Sequence, residues 1–176
     1  NSQGALKIAT ETSGIALTIG HTTSETTVAD NLTVTGDFAA GNFKFAGANF
    51  TGSLLVGHST TGTLNAANYN TGVGFYALDA LTSGDNNTAI GVYAGSSLST
   101  GSYNTMHGYN ALGNAATNSS NTMVGYNTGG NVTGSSNIGL GYGALYQATC
   151  SGSYNLALGI NAGDNITSGS GNVVIG

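Results

Sequence analysis

The chain has 176 residues, a formal net charge of −5 and only 5% charged side chains, where soluble domains average about 25%. Its two cations, Lys7 and Lys44, make no basic patch, which excludes nucleic-acid binding. No run approaches the roughly 18 apolar residues that a membrane-spanning helix needs, and the single Cys150 excludes an internal disulfide. Thirty glycines, no proline and abundant Ala, Ser, Thr and Asn suit strands stacked with backbone close to backbone.

Residues 1–52 lack a clean repeat. They hold alternating stretches such as Ile15-Ala16-Leu17-Thr18-Ile19 and Asn31-Leu32-Thr33-Val34-Thr35, followed by Phe38, Phe43, Phe45 and Phe50. These read as short strands joined by Gly and Asn turns, and the segment is assigned as a shaft-like β region. The two ends, Asn1 and Gly176, read as cut, as in a fragment or a processed product. Ser53-Leu54-Leu55-Val56-Gly57 lies 17 residues before Gly74 and reads as a degenerate first coil, with a structural transition over 52–68.

Residues 53–176 form the repeat domain. Seven times the chain writes an asparagine, three mostly small or apolar residues and a glycine: Asn70–Gly74, Asn87–Gly91, Asn104–Gly108, Asn121–Gly125, Asn137–Gly141, Asn155–Gly159 and Asn172–Gly176. Successive glycines are 17, 17, 17, 16, 18 and 17 residues apart. Such a period predicts one supersecondary unit stacked on itself, an all-β solenoid or β-roll of about 17 residues per coil.

Alignment on the glycines gives columns. Val73, Ile90, His107, Val124, Leu140, Leu158 and Ile175 precede the glycine; Ala77, Ala94, Ala111, Thr128, Ala144 and Ala162 follow it by three; Leu81, Leu98, Ala115, Val132, Ala148 and Ile166 follow it by seven. All three columns are expected to face inward. The segment Asn-Thr-Ala-Ile reads as one short strand, the stretch from the alanine to the third column as a second, and clusters such as Thr82-Ser83-Gly84 as turns. The glycine is expected to take positive φ or to allow close approach at a bend. The asparagines have two readings: a ladder of side-chain amides bonded to the coils above and below, or residues tolerating a left-handed turn.

Small inward residues bury little apolar area, and burial is worth about 25 cal/mol per Å². A lone stack of this kind is marginal, so self-association is expected, as a homotrimer with two faces of each coil against partners.

Catalysis requires titratable groups gathered in a pocket. Of the acids Glu11, Glu25, Asp30, Asp37, Asp79, Asp85 and Asp164, only Asp79 and Asp85 share a repeat, and they read as turn residues. No catalytic or cofactor-binding residue is assigned, and the chain is read as a non-enzyme. His107 interrupts an apolar column; three copies near a threefold axis could hold a metal, although a histidine within an interface or turned outward is the plainer reading. Tyr76, Tyr93, Tyr109, Tyr126 and Tyr142 fall one or two positions after repeat glycines. They are candidate receptor contacts, since the ring stacks while the hydroxyl bonds; packing between chains is the alternative.

The motif Asn-Thr-Ala-Ile-Gly-x-x-Ala with Thr-Ser-Gly turns resembles the β-roll head repeats of trimeric autotransporter adhesins. Its 17-residue form, as in Asn87–Gly101, looks more like repeats of bacteriophage tail-fibre and related virion proteins, and Ala29–Asp37 is similar to a segment of phage fibre shafts. The resemblance implies a homotrimeric, extracellular virion fibre, tail or head, partnered by itself, by other virion proteins and by a host cell-surface glycan or protein. A bacterial adhesin head is the alternative it implies. Two further readings come from the residues. An ice-binding face would use Thr71, Thr88, Thr105 and Thr122, a column that ends at Ile138; a polysaccharide depolymerase finds few acids to work with.

Overall fold

The computed structural model describes residues 43–45, 51–57, 64–147 and 149–176. They all belong to one compact unit, Ala40–Gly176; a second unit, Asn1–Ala39, lies outside the described residues. So do the expected strands before residue 43, the shaft-like match at 29–37, His21, His58 and Ala148.

Among the described residues, nine strands of three residues form one sheet: β1 (Phe43–Phe45), β2 (Leu54–Val56), β3 (Thr71–Val73), β4 (Thr88–Ile90), β5 (Thr105–His107), β6 (Thr122–Val124), β7 (Ile138–Leu140), β8 (Leu156–Leu158) and β9 (Val173–Ile175). Sheet order equals chain order. β1 pairs antiparallel with β2, while β2 to β9 pair parallel, each repeat position beside its counterpart: Thr88 beside Thr105, Ala89 beside Met106, Ile90 beside His107. This is an all-β solenoid of about seven turns, and Leu54–Val56 is its first rung. The described residues contain no helix.

One expected inward column faces outward. Within β2 to β8 the central residue is buried and its neighbours are not: Leu55, Ala89, Met106, Met123 and Ala157 lie at the core, whereas Val73, Ile90, Leu140 and Leu158 are 38–44% exposed; in the last rung Val174 is partly buried and Ile175 is 71% exposed. Side chains alternate along a strand, and the asparagine one residue before each strand is buried in rungs 70 to 155. Asn and Ala inward therefore force Thr and Ile outward. The alanine column does face inward, as do Leu81, Leu98, Ala115 and Val132.

The second expected strand is absent. The stretch after each glycine is a run of turns, because two of its positions are left-handed: Tyr76, Tyr93, Asn110, Asn127, Gly143 and Asn161 two residues after the glycine, and Leu78, Gly95, Leu112, Gly129, Leu145 and Gly163 four after it, all with φ between 52° and 68°. An extended strand has φ near −120°, so alternate residues of opposite handedness bend the chain across the coil. The repeat glycines sit at φ 127–135°, beyond the left-handed helical region open to other residues.

The core is filled by compensation between coils. The left-handed column alternates Leu78, Gly95, Leu112, Gly129, Leu145, Gly163. A β-carbon on Gly95 would press on Met106 Sδ at 2.7 Å and Leu78 Cδ2 at 3.2 Å; one on Gly163 would press on Leu145 Cδ2 at 2.9 Å. Each large residue thus occupies the space that a neighbouring glycine leaves, which keeps packing dense with few bulky side chains.

Candidate functional site: the spine and outer face of the coil

The repeat asparagines form a continuous internal spine. Asn87 Nδ2 donates to Asn70 Oδ1 at 3.0 Å, Asn104 Nδ2 to Asn87 Oδ1 at 3.0 Å, Asn121 Nδ2 to Asn104 Oδ1 at 3.3 Å, Asn155 Nδ2 to Asn137 Oδ1 at 3.0 Å and Asn172 Nδ2 to Asn155 Oδ1 at 2.8 Å. Each Oδ1 also accepts the backbone N–H of the next asparagine, at 2.9–3.0 Å. The second amide hydrogen goes to a carbonyl one coil on: Asn70 to Gly84, Asn87 to Gly101, Asn104 to Asn118, Asn155 to Gly169. A mid-spine amide such as Asn104 therefore uses two donors and two acceptor sites, its full capacity. None of these asparagines has positive φ, so the ladder reading holds and the turn reading does not. The step of 16 residues between Asn121 and Asn137 leaves a trace. There the backbone bond to Asn121 Oδ1 remains, and Asn137 Nδ2 bonds Gly152 O alone.

Sequence reasoning missed a second ladder, two residues upstream of the spine. The N–H of Asn68 bonds Asp85 Oδ1; that of Asp85 bonds Ser102 Oγ, and the chain continues through Ser119, Ser135, Ser153 and Ser170 at 2.9–3.1 Å. Its polarity is opposite: here the lower coil donates and the upper accepts. The signal was present as Ser102, Ser119, Ser135, Ser153 and Ser170 at the repeat spacing, but serine in a turn reads as punctuation. Asp85 belongs to this ladder. Asp164 Oδ1 accepts from the N–H groups of Tyr146 and Gln147 at 3.0 and 2.8 Å.

The tyrosines stack along the axis. Tyr76 and Tyr93 lie 5.1 Å apart with rings 17° from parallel, Tyr109 and Tyr126 5.1 Å at 12°, and Tyr126 and Tyr142 5.1 Å at 6°; Tyr93 meets Tyr109 edge-on at 5.9 Å. Tyr126 is sandwiched between the rings of Tyr109 and Tyr142, so its two faces are used within the chain. What this column offers a partner is largely ring edges and a row of hydroxyls, not open stacking platforms.

His107 stands outward between Ile90 and Val124 in the exposed column. No group of three or more His, Cys, Asp or Glu able to hold a metal occurs among the described residues. Thr71, Thr88, Thr105 and Thr122 lead their strands on the outer face, followed by Ile138, Leu156 and Val173. Cys150 is buried, its Sγ 3.8 Å from Gly152 O and 3.9 Å from Asn155 Nδ2. Burial raises its pKa, against the lowering effect of those two hydrogen bonds. No helix among the described residues is long and apolar enough to cross a membrane. Comparison of the chain with protein-family models, with curated proteins and with solved structures finds no match.

Proposed function

We propose that this chain is the rod-like repeat region of a homotrimeric virion fibre, a tail or head fibre that is extracellular and presents an adhesive surface to a host-cell glycan or protein. The observation that supports it is the division of labour in the coil. Polar ladders tie every rung to the next inside, while the outer face carries a long uncharged array of Val, Ile, Leu, Thr and Tyr side chains. Exposed apolar arrays of this length mark sites of association. Repetition supplies both rigidity and many identical weak contacts, which three chains multiply. The acids support a structural role: Asp85 and Asp164 serve as acceptors for backbone N–H groups.

Antibodies against the repeat region, applied to purified virus particles and to bacterial cells, test this reading. Labelling of filamentous appendages on particles, with blockage of particle adsorption by the free protein, is the expected result. Labelling of the bacterial surface alone would replace the fibre with an adhesin head.

A further inference from the structure

We infer that the outer strip of the solenoid, along β3–β9 and the residues just past the repeat glycines, is the seam against which a second copy of this chain docks, rung beside rung. This rests on the trimeric reading above and assigns the surface that makes the trimer, so that contacts with the host fall to the faces of the coil outside the strip.

Four observations carry it. First, the strip carries no Asp, Glu, Lys or Arg. Val73, Ile90, Leu140 and Leu158 form one exposed column, interrupted by His107, with Thr71, Thr88, Thr105 and Thr122 at the outward position two residues before it, and Tyr126 and Tyr142 stand beyond the glycines. Parallel sheets normally have both faces covered. Here the described acids, Asp79, Asp85 and Asp164, all lie outside the strands.

Second, the strip has unused hydrogen-bond donors. The residue after each repeat glycine offers its carbonyl to the next coil, as Val92 O does to Asn110 N and Tyr109 O to Asn127 N. The N–H groups of Val92, Tyr109, Tyr126 and Tyr142 find no acceptor among the described residues. The result is a row of donors at the rung spacing, about 4.8 Å.

Third, that spacing selects the partner. An extended peptide presents like groups about every 6.6–6.8 Å along one edge, so it falls out of step within two rungs. Another coil of the same chain has the same period over its whole length. Its side chains and acceptors meet every rung in the same way.

Fourth, the area suffices only when the whole strip is used. Seven rungs, each taking up about 4.8 Å, give a strip about 34 Å long. The strand columns alone are about 12 Å wide with their side chains, so a pair of copies would bury about 800 Å², the size of a weak contact. Adding the column beyond the glycines widens the strip to about 18 Å and the pair to about 1,200 Å², the lower bound of stable interfaces.

The test is sedimentation of three proteins: wild type, the strip variant Ile90→Lys/Leu140→Lys/Leu158→Lys, and the control Thr100→Lys/Ala116→Lys/Thr133→Lys, whose positions are exposed or in turns away from the strip. Wild type and control are expected as trimers. The strip variant is expected as single chains with unchanged circular dichroism, its association at least about 100-fold weaker, since lysines would be buried without partners. Cysteines introduced one at a time, beside the buried native Cys150, give a readout that does not depend on tolerating three charges. In the assembled protein, Leu140→Cys is expected to react with a maleimide far more slowly than Thr133→Cys, because a thiol closed into an interface is out of the reagent's reach. A folded strip variant that remains trimeric, or a Leu140→Cys that labels as fast as Thr133→Cys in a trimer, overturns the seam and leaves the trimer standing. A wild type that sediments as one chain overturns both.

Discussion

Replacing Asn104 by alanine removes four hydrogen bonds at one point of the spine: to Asn87 Oδ1 and Asn118 O as donor, and from Asn121 N and Asn121 Nδ2 as acceptor. Two of those partners keep another bond, since Asn87 Oδ1 still accepts the backbone N–H of residue 104 and Asn121 Nδ2 still reaches Gly134 O at 3.2 Å. Asn121 N and Asn118 O lose their side-chain partner in a buried setting. Net bonds are worth about 1 kcal/mol each, and a buried group left unsatisfied costs about 1–3 kcal/mol. Together these predict a loss of about 4 kcal/mol, a large share of the roughly 5–15 kcal/mol that holds a domain together. Asn172→Ala is the internal control. Its side chain makes one bond, to Asn155 Oδ1, and is half-exposed, so water replaces the partner and the loss is about 1 kcal/mol. Asn104→Asp distinguishes the ladder from mere packing. A carboxylate there would direct oxygens at Asn87 Oδ1 and Asn118 O, so its folded pKa rises above the unfolded value. The variant is then most stable below the unfolded carboxyl value and weakens as pH climbs through the folded one. Guanidinium unfolding followed by circular dichroism measures all three, with hydrogen exchange of the β5 and β6 amides to detect a break between coils. An Asn104→Ala protein within about 0.5 kcal/mol of wild type, or no weaker than Asn172→Ala, would refute the spine as a source of stability.

Other substitutions probe other links. A β-carbon on Gly152 would overlap the carbonyl oxygen of Gly169 in the next coil, whereas one on Gly171 meets nothing within 4 Å. Gly152→Ala is therefore expected to lose about 3 kcal/mol or fail to fold, and Gly171→Ala, at φ 72°, only about 1 kcal/mol, by thermal melting. Ser119→Ala removes the acceptor for Ser102 N, a bond of 3.0 Å, and should cost about 1 kcal/mol in the same assay; an unchanged protein would make the serine column ornamental. Tyr126→Ala removes two stacked contacts and should cost about 1–3 kcal/mol beyond lost burial, with a decrease in the near-ultraviolet tyrosine signal. Because burial raises the Cys150 pKa, the folded thiol should resist a disulfide reagent at pH 8 and react within the unfolding transition. For the same reason its contribution to stability is complete below the ordinary thiol value and falls as pH rises through the folded one.

The period alone determined the architecture. Asparagines and glycines recurring at 16–18 residues are incompatible with anything but stacked coils, and the alanine column could only be interior. The number of strands per coil was not legible, because left-handed φ at Tyr76, Leu78 and their counterparts is invisible in residues that also form good strands. The orientation of Ile90 and Leu140 was misjudged for a related reason. Apolar character argues for the core, but strand parity is set by whichever neighbour has most to lose outside, and that is the asparagine whose amide is satisfied on all sides only within the spine. Which serine meets which N–H, and which leucine leans over which glycine, depends on residues about 17 apart in the chain being brought to about 4.8 Å in space. Only the closed coil creates that proximity.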